Sequence, residues 1–85
     1  MILRAEFTTE PFEGEGEPPA HAVAARDCLR DAGLEPDFGP LGTAVAGDRR
    51  TVLPALAQVL ETALDTGANR ITLQVTVDSA ADDQA

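Results

Sequence analysis

Lysine, tyrosine and tryptophan are absent from this sequence, and cysteine and histidine occur once each, as Cys28 and His21. A lone cysteine excludes an internal disulfide and any multi-cysteine metal site. No apolar run approaches the roughly 20 residues of a membrane span. The first residues, Met1 to Glu6, lack the basic region and long apolar stretch of a signal peptide. The expectation is a soluble cytoplasmic protein with no membrane partner. With three phenylalanines as its only aromatics, the core must be built from Leu, Val, Ile and Ala.

Arginine is the only strongly basic residue type. Six arginines face fifteen acids, for a net charge of −9. Nucleic-acid binding relies on Lys and Arg displacing counterions from phosphates, so this balance argues against a nucleic-acid partner. A GC-rich genome would favour such a composition. So would a salt-rich cytoplasm, where self-repulsion is screened, and a halophilic source is the preferred reading. The 85 residues make one domain, near the small end of what folds alone. Burying more surface by self-association would help so thin a core.

The segment from Gly33 to Asp48 is rich in turn residues, with Gly or Pro at 33, 36, 39, 40, 42 and 47. It reads as a helix end, a β-hairpin and the start of a second helix. Before it, Leu3 to Thr9 alternates as a half-buried strand does. Glu10 to Pro19 is a Gly-, Pro- and Glu-rich loop that Phe12 alone could pin down. A helix follows from Pro18 or Pro19 to Ala32. Its expected apolar stripe is Ala25, Cys28, Leu29 and Ala32, with His21 and Ala22 on the same side and Arg26, Asp27, Arg30 and Asp31 in water. Leu34 to Phe38 forms a short strand whose Pro36 argues for a sheet edge, and Leu41 to Ala46 returns beside it. The second helix opens at Asp48, with an irregular first turn before Pro54, and ends near Thr66–Gly67. The other possible start is Thr51, which would leave Pro54 harmless in the first turn. Its expected stripe is Val52, Leu56, Val59, Leu60 and Ala63. Ile71 to Val77 is the clearest strand.

The order β-α-β-β-α-β, with right-handed crossovers, predicts an α+β ferredoxin-like sandwich. Two helices cover one face of a four-stranded antiparallel sheet of order 4-1-3-2. Residues 1–78 form the single domain and 79–85 an acidic, frayed tail. That fold serves many functions, so the residues must discriminate. A metallochaperone needs a Cys-x-x-Cys pair, an acylphosphatase-type enzyme needs a basic phosphate loop, and an RNA binder needs exposed aromatics and basic charge. None of these is present.

His21 reads as a partly buried cap residue in the first turn of the helix or as a hydrogen-bonding group for a bound ring, with metal ligation beside Cys28 or a nearby Glu ranked below both because the spacing matches no zinc pattern. Cys28 reads as a small core residue. The glutamates of the first loop are a solvated run or a site for a cation, and Arg70 pairs with a C-terminal acid or Asp48, or holds an anion. No catalytic set stands out, so an enzyme ranks last and no cofactor or metal is expected.

Gly33-Leu34, then Gly39-Pro40-Leu41-Gly42-Thr43, Gly47-Asp48 and Gly67-Ala68-Asn69-Arg70-Ile71 together resemble the YkoF-like family of small thiamine-binding proteins. The resemblance runs from about Leu3 to Asp78. This chain departs from the family pattern at Leu41 (usually Met), at Ala46 (often Glu) and in the first loop, where serines are usual. The resemblance implies a non-enzymatic carrier or sensor of thiamine or its hydroxymethylpyrimidine half, working as a homodimer or homotetramer. The residues placed to meet such a ligand are Thr9, Glu10, His21, Phe38 and Thr43. Two alternatives stay open: an ACT-like regulatory module binding another metabolite between subunits, and an oligomerisation module without a ligand.

Overall fold

The computed structural model describes residues 1–12, 16–39 and 42–78. Its elements run β1 (Ile2–Glu10), α1 (Ala20–Asp31), β2 (Asp37–Gly39), β3 (Gly42–Asp48), α2 (Arg49–Asp65) and β4 (Arg70–Val77). They form one antiparallel sheet in the order β2-β3-β1-β4. The two helices pack on each other over one face, so the ferredoxin-like α+β arrangement expected from the element order is the fold observed. None of the helices is long and apolar enough to cross a membrane. The acidic tail assigned to residues 79–85, and the turn and strand start assigned to Pro40 and Leu41, lie outside the described residues.

The alternation of β1 is obeyed. Leu3, Ala5, Phe7 and Thr9 are buried beneath the helices, and Arg4 and Glu6 are exposed on the open face. The core adds Ala25 and Leu29 of α1, Val45 of β3, and Val52, Ala55, Leu56 and Val59 of α2. The chain leaves α1 through a double hydrogen bond: the Leu34 amide donates to the Leu29 carbonyl and the Gly33 amide to Arg30. This closure needs a left-handed residue, and Gly33 supplies it with φ of 85°. Asp48 caps α2 as expected, its Oδ2 accepting from the Arg50 amide at 3.1 Å. The Thr51 start is thereby set aside, and Pro54 lies inside a helix that continues past it.

Several details are corrected. The second strand is confined to Asp37–Gly39, so Leu34 and Pro36 precede it. The third continues to Asp48, two residues beyond its expected end at Ala46. On α1, Ala32 is exposed because it stands at the helix end, past the region covered by the sheet. Arg26 does not lie wholly in water: its guanidinium sits over the Phe38 ring, 5.0 Å from the centroid. On α2, Leu60 is exposed and Ala55 is buried instead, so the covered stripe is displaced around the helix from the one expected. In β4, Ile71 and Leu73 are half-buried, whereas Val75 and Val77 are 44% and 45% exposed. Their alternation is that of a strand, but this edge of the sheet extends past its helical cover.

Candidate functional site

A cleft of about 810 Å³ opens at the end of the sheet where four segments converge. These are the end of β1, the loop leading into α1, the β2–β3 hairpin and the loop between α2 and β4. Two features hold the mouth together. The Asn69 amide donates to the Glu10 carbonyl at 2.7 Å, drawing the α2–β4 loop onto β1. On the other side, α1 begins without a side-chain cap and is anchored instead by His21 in its first turn.

His21 is buried, at 4% exposure. Its Nε2 lies 3.0 Å from the Pro11 carbonyl oxygen, which can only accept, so Nε2 carries the hydrogen. Its Nδ1 lies 2.7 Å from the Thr9 hydroxyl. One imidazole therefore ties α1 to the end of β1 and to the segment that follows. Both ring nitrogens have protein partners. The cap role read from the sequence is thereby corrected: the cap position is Pro19, and the His21 ring is buried and bonds across to Thr9 and Pro11 instead of to the helix's own amides.

All five residues singled out from the sequence, Thr9, Glu10, His21, Phe38 and Thr43, line this one cleft. They come from β1, α1, β2 and β3, so only the tertiary fold brings them together. Thr43 is buried, yet its hydroxyl has no hydrogen-bond partner among the described residues. No described polar side-chain atom is both sealed from solvent and unpartnered, so that hydroxyl keeps access to solvent, and Thr43 lines the cleft. Phe38 lines the cleft beside it, with Arg26 stacked on the ring. Gly42, one residue along, lets β3 pass close to β1: a Cβ there would stand 3.1 Å from the Phe7 carbonyl oxygen and 3.2 Å from Thr8 Cγ2.

The lining also includes residues that sequence reasoning left out. Thr8, Thr66 and Gly67 contribute from strand and loop ends, and Pro18 and Pro19 from the approach to α1. No periodicity marks such positions. Phe12, expected to pin the first loop, lines the cleft while remaining half exposed. The described lining carries the carboxylates of Glu10 and Glu17 and no arginine, so its charge is negative. Glu13 and Glu15 lie outside the described residues. Arg70 stands directly across from Glu10 in the β1–β4 register and does not pair with Asp48. Cys28 is half-buried against the core, and no described group of three or more His, Cys, Asp and Glu residues is placed to hold a metal.

Among solved structures, the chain is similar to Streptococcus pneumoniae protein SP2199, with 16% identity over 99% of this chain and 97% of that one and a TM-score of 0.68. A candidate thiamine biosynthesis/salvage protein from Thermotoga maritima matches with 15% identity over the full length of both chains and a TM-score of 0.63. A domain of unknown function, DUF77, from Bacillus cereus matches with 15% identity over 88% of this chain and 72% of that one, also at 0.63. At such identities these likenesses concern the fold. No curated protein matches the sequence. The profile of the thiamine-binding protein family matches residues 5–85, β1 through β4 and the cleft between them, and the chain belongs to that family.

Proposed function

We propose that the chain binds thiamine or its hydroxymethylpyrimidine moiety without transforming it, as a cytoplasmic carrier or sensor, in the cleft at the sheet end. The observation that carries this reading is the open Thr43 hydroxyl beside the Phe38 ring. A flat aminopyrimidine needs a surface to stack on and a polar group at its edge. Phe38 offers the first and Thr43 the second. The cleft is within the roughly 300–1,000 Å³ usual for small-molecule sites. Its acidic rim suits the cationic thiazolium of thiamine, with Glu10 nearest the sheet. Thr9 and His21 complete the wall that the ring would lie against. Binding without catalysis fits His21, whose ring nitrogens are engaged by Thr9 and Pro11 and are not free to move a proton. Membership of the thiamine-binding family and the likeness to the Thermotoga protein support the same ligand.

Isothermal titration with thiamine and with hydroxymethylpyrimidine tests this directly. Saturable heat is expected with at least one of them. Silence with both at millimolar ligand would sink the proposal. Thr43→Val and Phe38→Ala should each weaken binding by roughly five- to tenfold, about 1 kcal/mol, the usual worth of one hydrogen bond or one ring contact. Heat with amino acids or free nucleobases in place of thiamine would redirect the assignment to a different metabolite.

A further inference from the structure

We propose that Thr9 is a specificity-determining residue of the cleft. Its hydrogen bond to His21 leaves its hydroxyl able only to accept, so the cleft selects a 4-aminopyrimidine over the corresponding 4-oxopyrimidine. The inference rests on the reading that the cleft holds the pyrimidine ring of thiamine.

The polarity is set at the far end of a short hydrogen-bonded chain. The Pro11 carbonyl oxygen can only accept, so it takes the hydrogen on His21 Nε2, 3.0 Å away. A neutral imidazole carries one hydrogen on its nitrogens, so Nδ1 keeps a lone pair. The Thr9 hydroxyl, 2.7 Å from Nδ1, must then donate to it. A hydroxyl has one hydrogen and two lone pairs. With the hydrogen spent on His21, Thr9 offers a ligand lone pairs alone. Burial protects this arrangement: Thr9 and His21 are 7% and 4% exposed, which leaves little water to compete for either partner.

The rest of the described lining is also poor in donors. It contains no amide, guanidinium or indole side chain. The Thr66 hydroxyl donates to the Thr62 carbonyl within its own helix end. Ionised Glu10 and Glu17 can only accept. Thr43 differs, because its hydroxyl has no partner among the described residues and can turn to donate or to accept. Thr43 stands opposite Phe7 in the β1–β3 register. Thr9, two residues along β1, is thus its diagonal neighbour on the same face, about 7 Å away. One small ring can meet both.

A 4-aminopyrimidine presents an amino donor beside a ring-nitrogen acceptor. The amino group suits Thr9, and the ring nitrogen suits a donating Thr43. The 4-oxo compound reverses both groups, with a carbonyl oxygen in place of the amino group and an N–H beside it. Thr43 can turn to accept from that N–H. Thr9 cannot turn to donate without stranding His21 Nδ1. Two acceptors would then face each other in a buried site, and an unpaired buried polar group is costly.

Oxythiamine, which is thiamine with its 4-amino group replaced by oxo, is the probe. It carries the same thiazolium, so the acidic rim treats both compounds alike. Isothermal titration of the full chain at pH 8 should show oxythiamine bound at least about tenfold more weakly than thiamine. Thr9→Val should weaken thiamine about five- to tenfold and leave oxythiamine within about twofold of its wild-type value. Thr9→Ser keeps the hydroxyl and should keep the preference. His21 is the only histidine, so nitrogen NMR of its imidazole reads the tautomer directly in the ligand-free protein. A protonated Nε2 and a bare Nδ1 are expected. A hydrogen on Nδ1 would overturn the proposal, because Thr9 would then be free to donate. A preference for thiamine that survives Thr9→Val would overturn it too. If circular dichroism shows that Thr9→Val unfolds, the wild-type ratio and the tautomer decide. Silence with both compounds removes the thiamine reading and this inference with it. Equal binding of the two, or tighter binding of oxythiamine, removes this inference alone.

Discussion

At the residue scale, His21 and Thr43 divide the work of the cleft. Each is a polar residue buried in a small apolar domain, and burial without a partner is costly. His21 meets that requirement within the protein, through Thr9 and the Pro11 carbonyl. Thr43 meets it only at the cleft surface. The consequences of mutation therefore separate. His21→Ala should lower stability by about 1–3 kcal/mol, because it strands two buried partners as well as losing two bonds. A urea titration would read this as a lower midpoint, and an unchanged midpoint would contradict the anchoring role. Thr43→Val should leave the urea midpoint within about 0.5 kcal/mol and show its effect in ligand titration.

At the level of elements, local sequence signals and their structural outcomes can be compared one by one. The start of α2 was legible because Asp48 has a local task, accepting the Arg50 amide. Asp48→Ala should cost about 1 kcal/mol, measured by thermal or urea unfolding. The end of α1 was legible for a similar reason: only glycine adopts the φ of Gly33 at little cost. Gly33→Ala meets no steric contact there, so its expected loss of about 1 kcal/mol comes from backbone conformation alone. Pro54 breaks the local rule. It withholds the amide that would bond to the Arg50 carbonyl, within a helix that runs from Arg49 to Asp65. Pro54→Ala should raise stability by at least about 1 kcal/mol, and a lowered melting temperature would show that the proline has a packing role instead. The limits of legibility show in β4 and α2. The alternation of Ile71 to Val77 identified a strand, but periodicity states which residues share a face and not whether anything covers it. Leu60 is the same case on a helix, where two adjacent apolar stripes cannot be told apart until the neighbour's position is known.

For the whole molecule, charge is the dominant unbalanced term. A net charge of −9 on 85 residues penalises the compact state, and salt screens that penalty. Raising KCl from low to molar concentration should raise the melting temperature by several degrees, in line with about 1 kcal/mol of stabilisation. A flat response would remove halophily as the explanation of the acidic composition.

Element order, strand alternation, the glycine stop and the aspartate cap are local properties, set by backbone sterics and by hydrogen bonds between residues close in sequence. With them came the sheet order, because few right-handed arrangements of β-α-β-β-α-β exist. What only the tertiary structure decided is how distant residues meet. Arg26 stacks on Phe38 across twelve positions, and His21 bridges to Thr9 across the same separation. Thr43 and Phe38 gain their neighbours from β1 and from two loops. Val75 and Val77 remain exposed because no helix reaches them. Such outcomes depend on where whole elements come to rest against one another, and that is settled by packing over the entire core.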